Sequence, residues 1–204
     1  MGGLDLLLSD LLRNGIESFL GRKAIDKIEK RLFEKYGLTL RESMEDFEKF
    51  NDVLYEIFGA GSKGMIHSVL SNLCNLKKSK GRKDSLVILH NPNLTEKILG
   101  ILGDRYYRKI LDLLIDKSLT AYEILDRVEI PQASAYRKME VLIESGLLVE
   151  DGRVLGNRGR HAIRFTTLYR GLDMSIVKNR ITVQIKMNKH MLQKSTILST
   201  QYSV

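Results

Sequence analysis

The side chains best placed for chemistry are amide, hydroxyl and guanidinium groups gathered at the start of one helical stretch. "IPQASAYRKMEVLIESGLL", Ile130 to Leu148, begins short and polar, becomes periodic and apolar, and stops at a glycine. Its spacing buries Ala135, Met139, Leu142 and Ile143 on one stripe. Gln132, Ser134, Tyr136, Arg137 and Lys138 fall off that stripe, with the small Ala133 among them. Donors of these types suit base edges and phosphate oxygens, and small residues let a helix backbone approach a duplex. A second group stands in "GNRGR", Gly156 to Arg160. Asn157, Arg158 and Arg160 lie between glycines in a short loop, where cations can meet a phosphate backbone or minor groove.

Other chemistries find no support in the spacing. His67, His90, His161 and His190 stand far apart, without cysteine or carboxylate at ligand spacing, so no metal centre is expected. His161, beside the basic loop, reads as a phosphate or surface contact. "GAGSKG" is glycine-rich but follows a helix rather than a strand, so it is not a nucleotide-binding loop. The expectation is no catalytic residues, no cofactor and no enzymatic activity.

These groups need elements to position them. "DRYYRKILDLLIDKS" places Ile110, Leu111, Leu114 and Ile115 on one face. "LTAYEILDRVEI" follows, with Thr120 and Glu123 spaced as a capping box and Ile124, Leu125 and Val128 buried. A turn at Glu129–Ile130 and Pro131 leads into the polar helix start. Helix, short helix, tight turn and longer helix make a helix-turn-helix, whose second helix enters the major groove. "GLLVEDGRVLGNRGRHAIRFTTL" continues as two strands about the basic loop, the first with an irregularity at "EDG". A hairpin with a basic tip behind a helix-turn-helix is a wing.

Before this unit the pattern is helical. "RKAIDKIEKRLFEKYG" carries Ala24, Ile25, Ile28, Leu32 and Phe33 and ends at Gly37 as a C-terminal cap. "LRESMEDFEKFNDVLYEIFGAG" repeats the pattern, "GMIHSVLSNLC" adds another set, and Leu4 to Leu20 reads as a helix weakened by Gly15. Three or four antiparallel helices make a small bundle with its Phe and Tyr residues in the core. The fold class is mainly α with small β: a bundle over residues 1–76, a basic linker over 77–92, a winged helix-turn-helix over 93–170, and a C-terminal β-hairpin with a short helix over 171–204.

Charge points the same way. The chain of 204 residues carries a formal net charge of +8. Residues 1–76 hold 10 basic and 12 acidic groups, and residues 84–152 hold 8 and 12. "KKSKGRK" at Lys77 to Lys83 adds five cations, and residues 153–204 hold 10 against Asp173 alone. The surface that seeks anions therefore belongs to the linker and the last quarter of the chain. No apolar run reaches transmembrane length and no secretory leader is visible, so a cytoplasmic location without membrane contact is expected. Cys74, the single cysteine, suits a reducing compartment.

"RKILDLL", "LTAYEIL", "IPQASAYRKMEVLIESGLL" and "GNRGR" together resemble the winged-helix transcription regulators, in particular ArsR-like and related archaeal groups. The resemblance covers about residues 100–167 and implies sequence-selective binding of double-stranded DNA. Metal-sensing members carry cysteine or histidine pairs on their helices, and the recognition helix here has neither, so metal sensing is not implied. "LGRKAIDKIEKRLFEKYGLTLRESMEDFEKFNDVLYEIFGAG" resembles a small archaeal helical family described as an output domain of signalling proteins. That implies a signalling partner or ligand at the bundle.

The C-terminal stretch alternates Ile181, Val183, Ile185 and Met187 with Thr182, Gln184 and Lys186, a half-buried strand. "SIV-KN-RITV" reads as a hairpin turning at Lys178–Asn179, and a short helix starts near Asn188. The hairpin either packs on its own domain or dimerises through Ile181, Val183 and Ile185 with Met191 and Leu192, the N-terminal bundle being the other candidate surface for dimerisation. A homodimer is expected, because one winged helix reads few base pairs and two would read a pseudo-palindrome. The alternative reading is a non-enzymatic interaction protein or signalling adaptor whose winged helix binds another protein.

Overall fold

The computed structural model describes residues 3–44, 46–78, 84–155, 161–193 and 195–197. Apolar periodicity builds the first part. Helix α1 (Gly3–Leu20) aligns Leu4, Leu8, Leu12 and Ile16, all fully buried; burying each such side chain is favourable by about 1.5–3 kcal/mol. Then come α2 (Arg22–Tyr36), the single turn α3 (Leu40–Ser43), α4 (Phe47–Phe58) and α5 (Gly61–Leu73). Helices α1 and α4 each pack on both α2 and α5, closing the bundle. A Cβ at Gly15 would lie 2.5 Å from Val69 Cγ1. This glycine, read in the sequence as a weakness, is what lets α1 and α5 meet.

The aromatic residues divide. Phe47 and Phe50 are buried with ring centroids 5.3 Å apart. Phe33 is 68% exposed, and Phe19 and Tyr55 are also largely exposed, against the expectation of a wholly aromatic core. Phe33 follows the buried Leu32 and sits one step round the helix, beyond the stripe that α1 and α4 cover.

The stretch 77–92 is not simply a linker. Strand β1 (Cys74–Lys78) leaves α5 directly and pairs antiparallel with β2 (Asp84–Leu89), Cys74 opposite Leu89. Val87 and Leu89 are fully buried, so this segment has a core face of its own. Strand β2 in turn pairs with a strand from the C-terminal end, β7 (Arg180–Asn188), with Val87 opposite Ile185 and Leu89 opposite Val183. With β6 (Gly171–Val177) the order is β1-β2-β7-β6. Two hairpins far apart in the chain therefore share one sheet, and the C-terminal hairpin is not an appendage.

Between them lies the expected unit. Helix α6 (Pro92–Gly103), which the sequence reading passed over, starts at Asn91, whose side chain accepts the Leu94 N–H at 3.2 Å, with Pro92 in the first turn. Helix α7 (Arg105–Asp112), β3 (Leu119–Thr120), α8 (Ala121–Val128), α9 (Gln132–Glu144), β4 (Leu148–Leu155) and β5 (His161–Thr167) follow, with a second sheet ordered β3-β5-β4. Helices α7, α8 and α9 pack on one another around Ile110, Ile124, Ala135 and Leu142. Helix α10 (Lys189–Gln193) lies against β7 and β2.

One apolar core runs through all these parts. The start of α1 reaches the end of α9. Gly146 has φ +75°, and a Cβ there would lie 2.2 Å from the Gly3 carbonyl oxygen; a Cβ at Gly3 would lie 2.6 Å from the Gly146 oxygen. Neither position has room for a side chain. Two residues on, buried Asp5 accepts hydrogen bonds from the Ser195 hydroxyl, from the Thr196 N–H at 2.7 Å and from the Thr196 hydroxyl at 3.1 Å. Burial nevertheless pushes the Asp5 carboxyl above its usual range, outweighing those donors.

Candidate nucleic-acid interface

The turn into α9 is fixed locally. Thr120 caps α8: its hydroxyl accepts the Glu123 N–H at 3.3 Å, and the Glu123 carboxylate accepts the Thr120 N–H at 2.7 Å. Those bonds hold the Glu123 carboxyl below its ordinary range. Glu129 closes α8 in a left-handed conformation at φ 54°, Pro131 precedes α9, and the Pro131 carbonyl accepts the first amides, from Ser134 at 2.9 Å and Ala135 at 3.0 Å. Buried Ala135, Met139 and Leu142 set the helix rotation.

That rotation exposes Gln132, Ala133, Tyr136 and Arg137 and leaves Ser134 half-buried. Among the described residues no side chain bonds to Gln132 or Arg137, so the amide and the guanidinium are both open to a ligand. Lys138 departs from the expectation. Its ammonium lies 2.5 Å from the Asp104 carboxylate and 4.3 Å from the centre of the Tyr107 ring, and its side chain is only 17% exposed. Asp104 also accepts the Tyr106 N–H at 2.7 Å as the N-cap of α7, and the lysine holds its carboxyl low. Lys138 thus ties α9 to α7 and is turned away from the face that carries Arg137.

The wing is present as β4 and β5. Its pairing shifts between Glu150 and Arg153, where Gly152 takes φ +86°, so the "EDG" irregularity is a bulge. Gly156 to Arg160, including Asn157, Arg158 and Arg160, lie outside the described residues. Below them Arg153, Leu155 and His161 are exposed, with Leu155 paired to His161. Arg153 has no ion-pair partner among the described residues. The sequence reading missed it; its place one step past the bulge glycine was the available signal. Arg164 is spent inside, donating to the Ser118 carbonyl at 3.0 Å. Tyr122 on α8 is 76% exposed.

Across the bundle the basic groups are treated otherwise. Arg31 donates to Glu56 at 2.8 Å, and Lys35 lies 2.6 Å from Asp52 and 3.1 Å from Glu56. These cations hold both carboxyls low. An open groove of about 440 Å³ between α1, α2 and α3 is lined by residues including Ser9, Arg13, Phe33 and Arg41.

Among the described residues no cluster of three metal-ligating side chains forms, and no helix is long and apolar enough to cross a membrane. Buried Cys74 has its thiol pushed up to about 11 by desolvation. No curated protein and no solved structure matches the chain. Residues 102–151, from the end of α6 through α9 to the start of β4, match the family model described as a helix-turn-helix domain, and this part of the chain is therefore a helix-turn-helix of the kind that serves DNA-binding regulation.

Proposed function

We propose that the chain is a winged-helix transcription regulator that reads a pseudo-palindromic duplex operator as a homodimer. Gln132 and Arg137 take base edges in the major groove, Tyr136 and Ser134 take phosphates or sugars beside them, and Ala133 admits the close approach. Asn157, Arg158 and Arg160, with Arg153 behind them, take the backbone or minor groove. The observation that carries this reading is the contrast within one helix: Arg137 stands exposed without a partner among the described residues, while Lys138 beside it is satisfied by Asp104. The protein works without cofactor or metal, in the cytoplasm, and catalyses no reaction. The bundle receives the signal, and its groove beside Arg41 is the candidate place for a ligand.

Selection of bound duplexes from a random pool, at fixed salt, tests the reading. Enrichment of a two-fold-related sequence supports it. A folded sample that enriches nothing and binds no duplex at low salt favours the protein-binding alternative, for which exposed Tyr122 and Leu155 supply apolar contacts.

A further inference from the structure

Strand β6 ends its sheet, and no described strand lies on its outer side. The hairpin geometry shows which groups that leaves open. Lys178 and Asn179 both have positive φ, 47° and 61°, so the turn is a two-residue loop of the I′ kind closed by the pair Val177–Arg180. Hydrogen-bonded pairs alternate from there, at Val177, Ser175, Asp173 and Gly171. The backbone N–H and C=O groups of Leu172, Met174 and Ile176 therefore point outward along a free edge. This edge has no proline and no lysine within it, and Asp173, its one charge, is neutralised by Lys186 at 2.8 Å. Ile176 and Val177 are 65% and 64% exposed. Such an edge ordinarily acquires a partner strand.

The face expected to dimerise is already used. Val183, Ile185 and Leu192 are buried within the chain, and Met191 nearly so. The β6 edge, by contrast, is self-complementary. Antiparallel pairing of two copies about a two-fold axis at Met174 sets Leu172 opposite the partner's Ile176 and Met174 opposite the partner's Met174. Every outward backbone group then finds a mate, whereas a shift of the axis to Ser175 leaves Leu172 facing the partner's turn. Leu172, Met174 and Ile176 share a sheet face with Ile185, Val183 and Ile181, so the joined edge extends an existing apolar row. Beside Leu172 an open groove of about 450 Å³ is lined by Leu102, Ile115 and Tyr169, with Arg105, Arg108, Lys109 and Asp112 around them.

We propose that two copies of this chain dimerise by antiparallel β6–β6 pairing centred on Met174, which joins their sheets and seats each copy's Ile176 against the other's Leu172. The proposal rests on the two-fold reading of the operator for its purpose, and on the edge itself for its geometry. Sedimentation of the full chain at tens of micromolar, with three variants, tests it. Met174→Pro deletes an N–H that bonds nothing among the described residues, so the fold is retained by circular dichroism while the dimer dissociation constant rises roughly a hundredfold or more. Met174→Cys forms a disulfide-linked dimer under mild oxidation, because only this register places the residue opposite itself, and Ser175→Cys does so far less. A wild-type monomer overturns the proposal, while duplex selection decides separately whether DNA binding stands. A wild-type dimer that persists in Met174→Pro, or fails to cross-link through Met174→Cys, also overturns it and leaves the two-fold operator reading intact with its interface elsewhere. If Met174→Pro unfolds the hairpin, the cross-linking pair still decides.

Discussion

The bundle and the winged helix both carry many cations, and they use them in opposite ways. On the seam between α2 and α4, Arg31 and Lys35 face Asp52 and Glu56, and each charge has its opposite within reach. On the winged helix, Lys138 is neutralised by Asp104, while Arg137 and Arg153 project without partners among the described residues. An exposed ion pair adds little to stability, but it removes a cation from the set that can meet an external anion. Which arginines are left unpaired is thus more informative than how many the chain contains.

The largest expected effect tests whether these two regions are separable at all. Gly146→Ala places a Cβ on the Gly3 carbonyl oxygen and strains a positive-φ site, so it should cost about 3 kcal/mol or more and lower the melting temperature of the whole chain. A shift confined to one of two separate transitions would break the picture of a single core. Next, Arg137→Ala should lose about 1–3 kcal/mol of discrimination between operator and random duplex, measured by competition at fixed salt. Lys138→Ala should leave that ratio unchanged while lowering stability. Equal losses of specificity from both would reverse their assigned roles.

Two acids should then give opposite pH slopes. Asp5 has a raised carboxyl pKa, so its stabilising effect is complete below the ordinary value of 3.8 and is lost as pH rises through the raised value. Asp5→Asn should therefore gain on wild type as pH goes from 3 to 7. Asp52 has a lowered pKa, so its contribution is present above 3.8 and lost as pH falls through the lowered value. Asp52→Asn should be worst near neutrality and match wild type in acid. Melting curves across that range check both signs. The smallest effects concern salt: Arg153→Ala should reduce the slope of log affinity against log salt by about 1, and Arg31→Ala should leave it unchanged.

The winged helix was legible because its signals are local. Thr120 and Glu123 sit three residues apart, Glu129 to Pro131 mark one turn, "EDG" marks the bulge, and Lys178–Asn179 marks the C-terminal hairpin. What stayed hidden is non-local. "KKSKGRK" looks like a spacer until β2 finds β7, about a hundred residues later, and only that pairing makes Val87 and Leu89 core. Lys138 resembles Arg137 in sequence and is captured by Asp104, 34 residues upstream. Periodicity identified the stripe on α2 but not its width, so Phe33 was counted inside it. The pattern singled out Gln132, Ala133, Tyr136 and Arg137, which the fold leaves exposed; which side chains are unpaired it did not show, because pairing depends on neighbours that the fold supplies.

The bonds from Ser195 and Thr196 to Asp5 impose an order on how this chain can be made. Synthesis delivers residues at roughly 5–20 per second from the N-terminus, and the bundle can assemble as it emerges. For most of that time Asp5 has no donors, and the notch at Gly3 has no Gly146 to fill it. Strand β2 waits likewise for β7. The first helix and the first hairpin must be held half-finished until the last segments arrive, so folding should end in a late closure rather than proceed region by region. Such a chain is exposed to chaperones and proteases from the making of β2 until β7 follows, and a pause in synthesis between those strands would be more damaging than one before them.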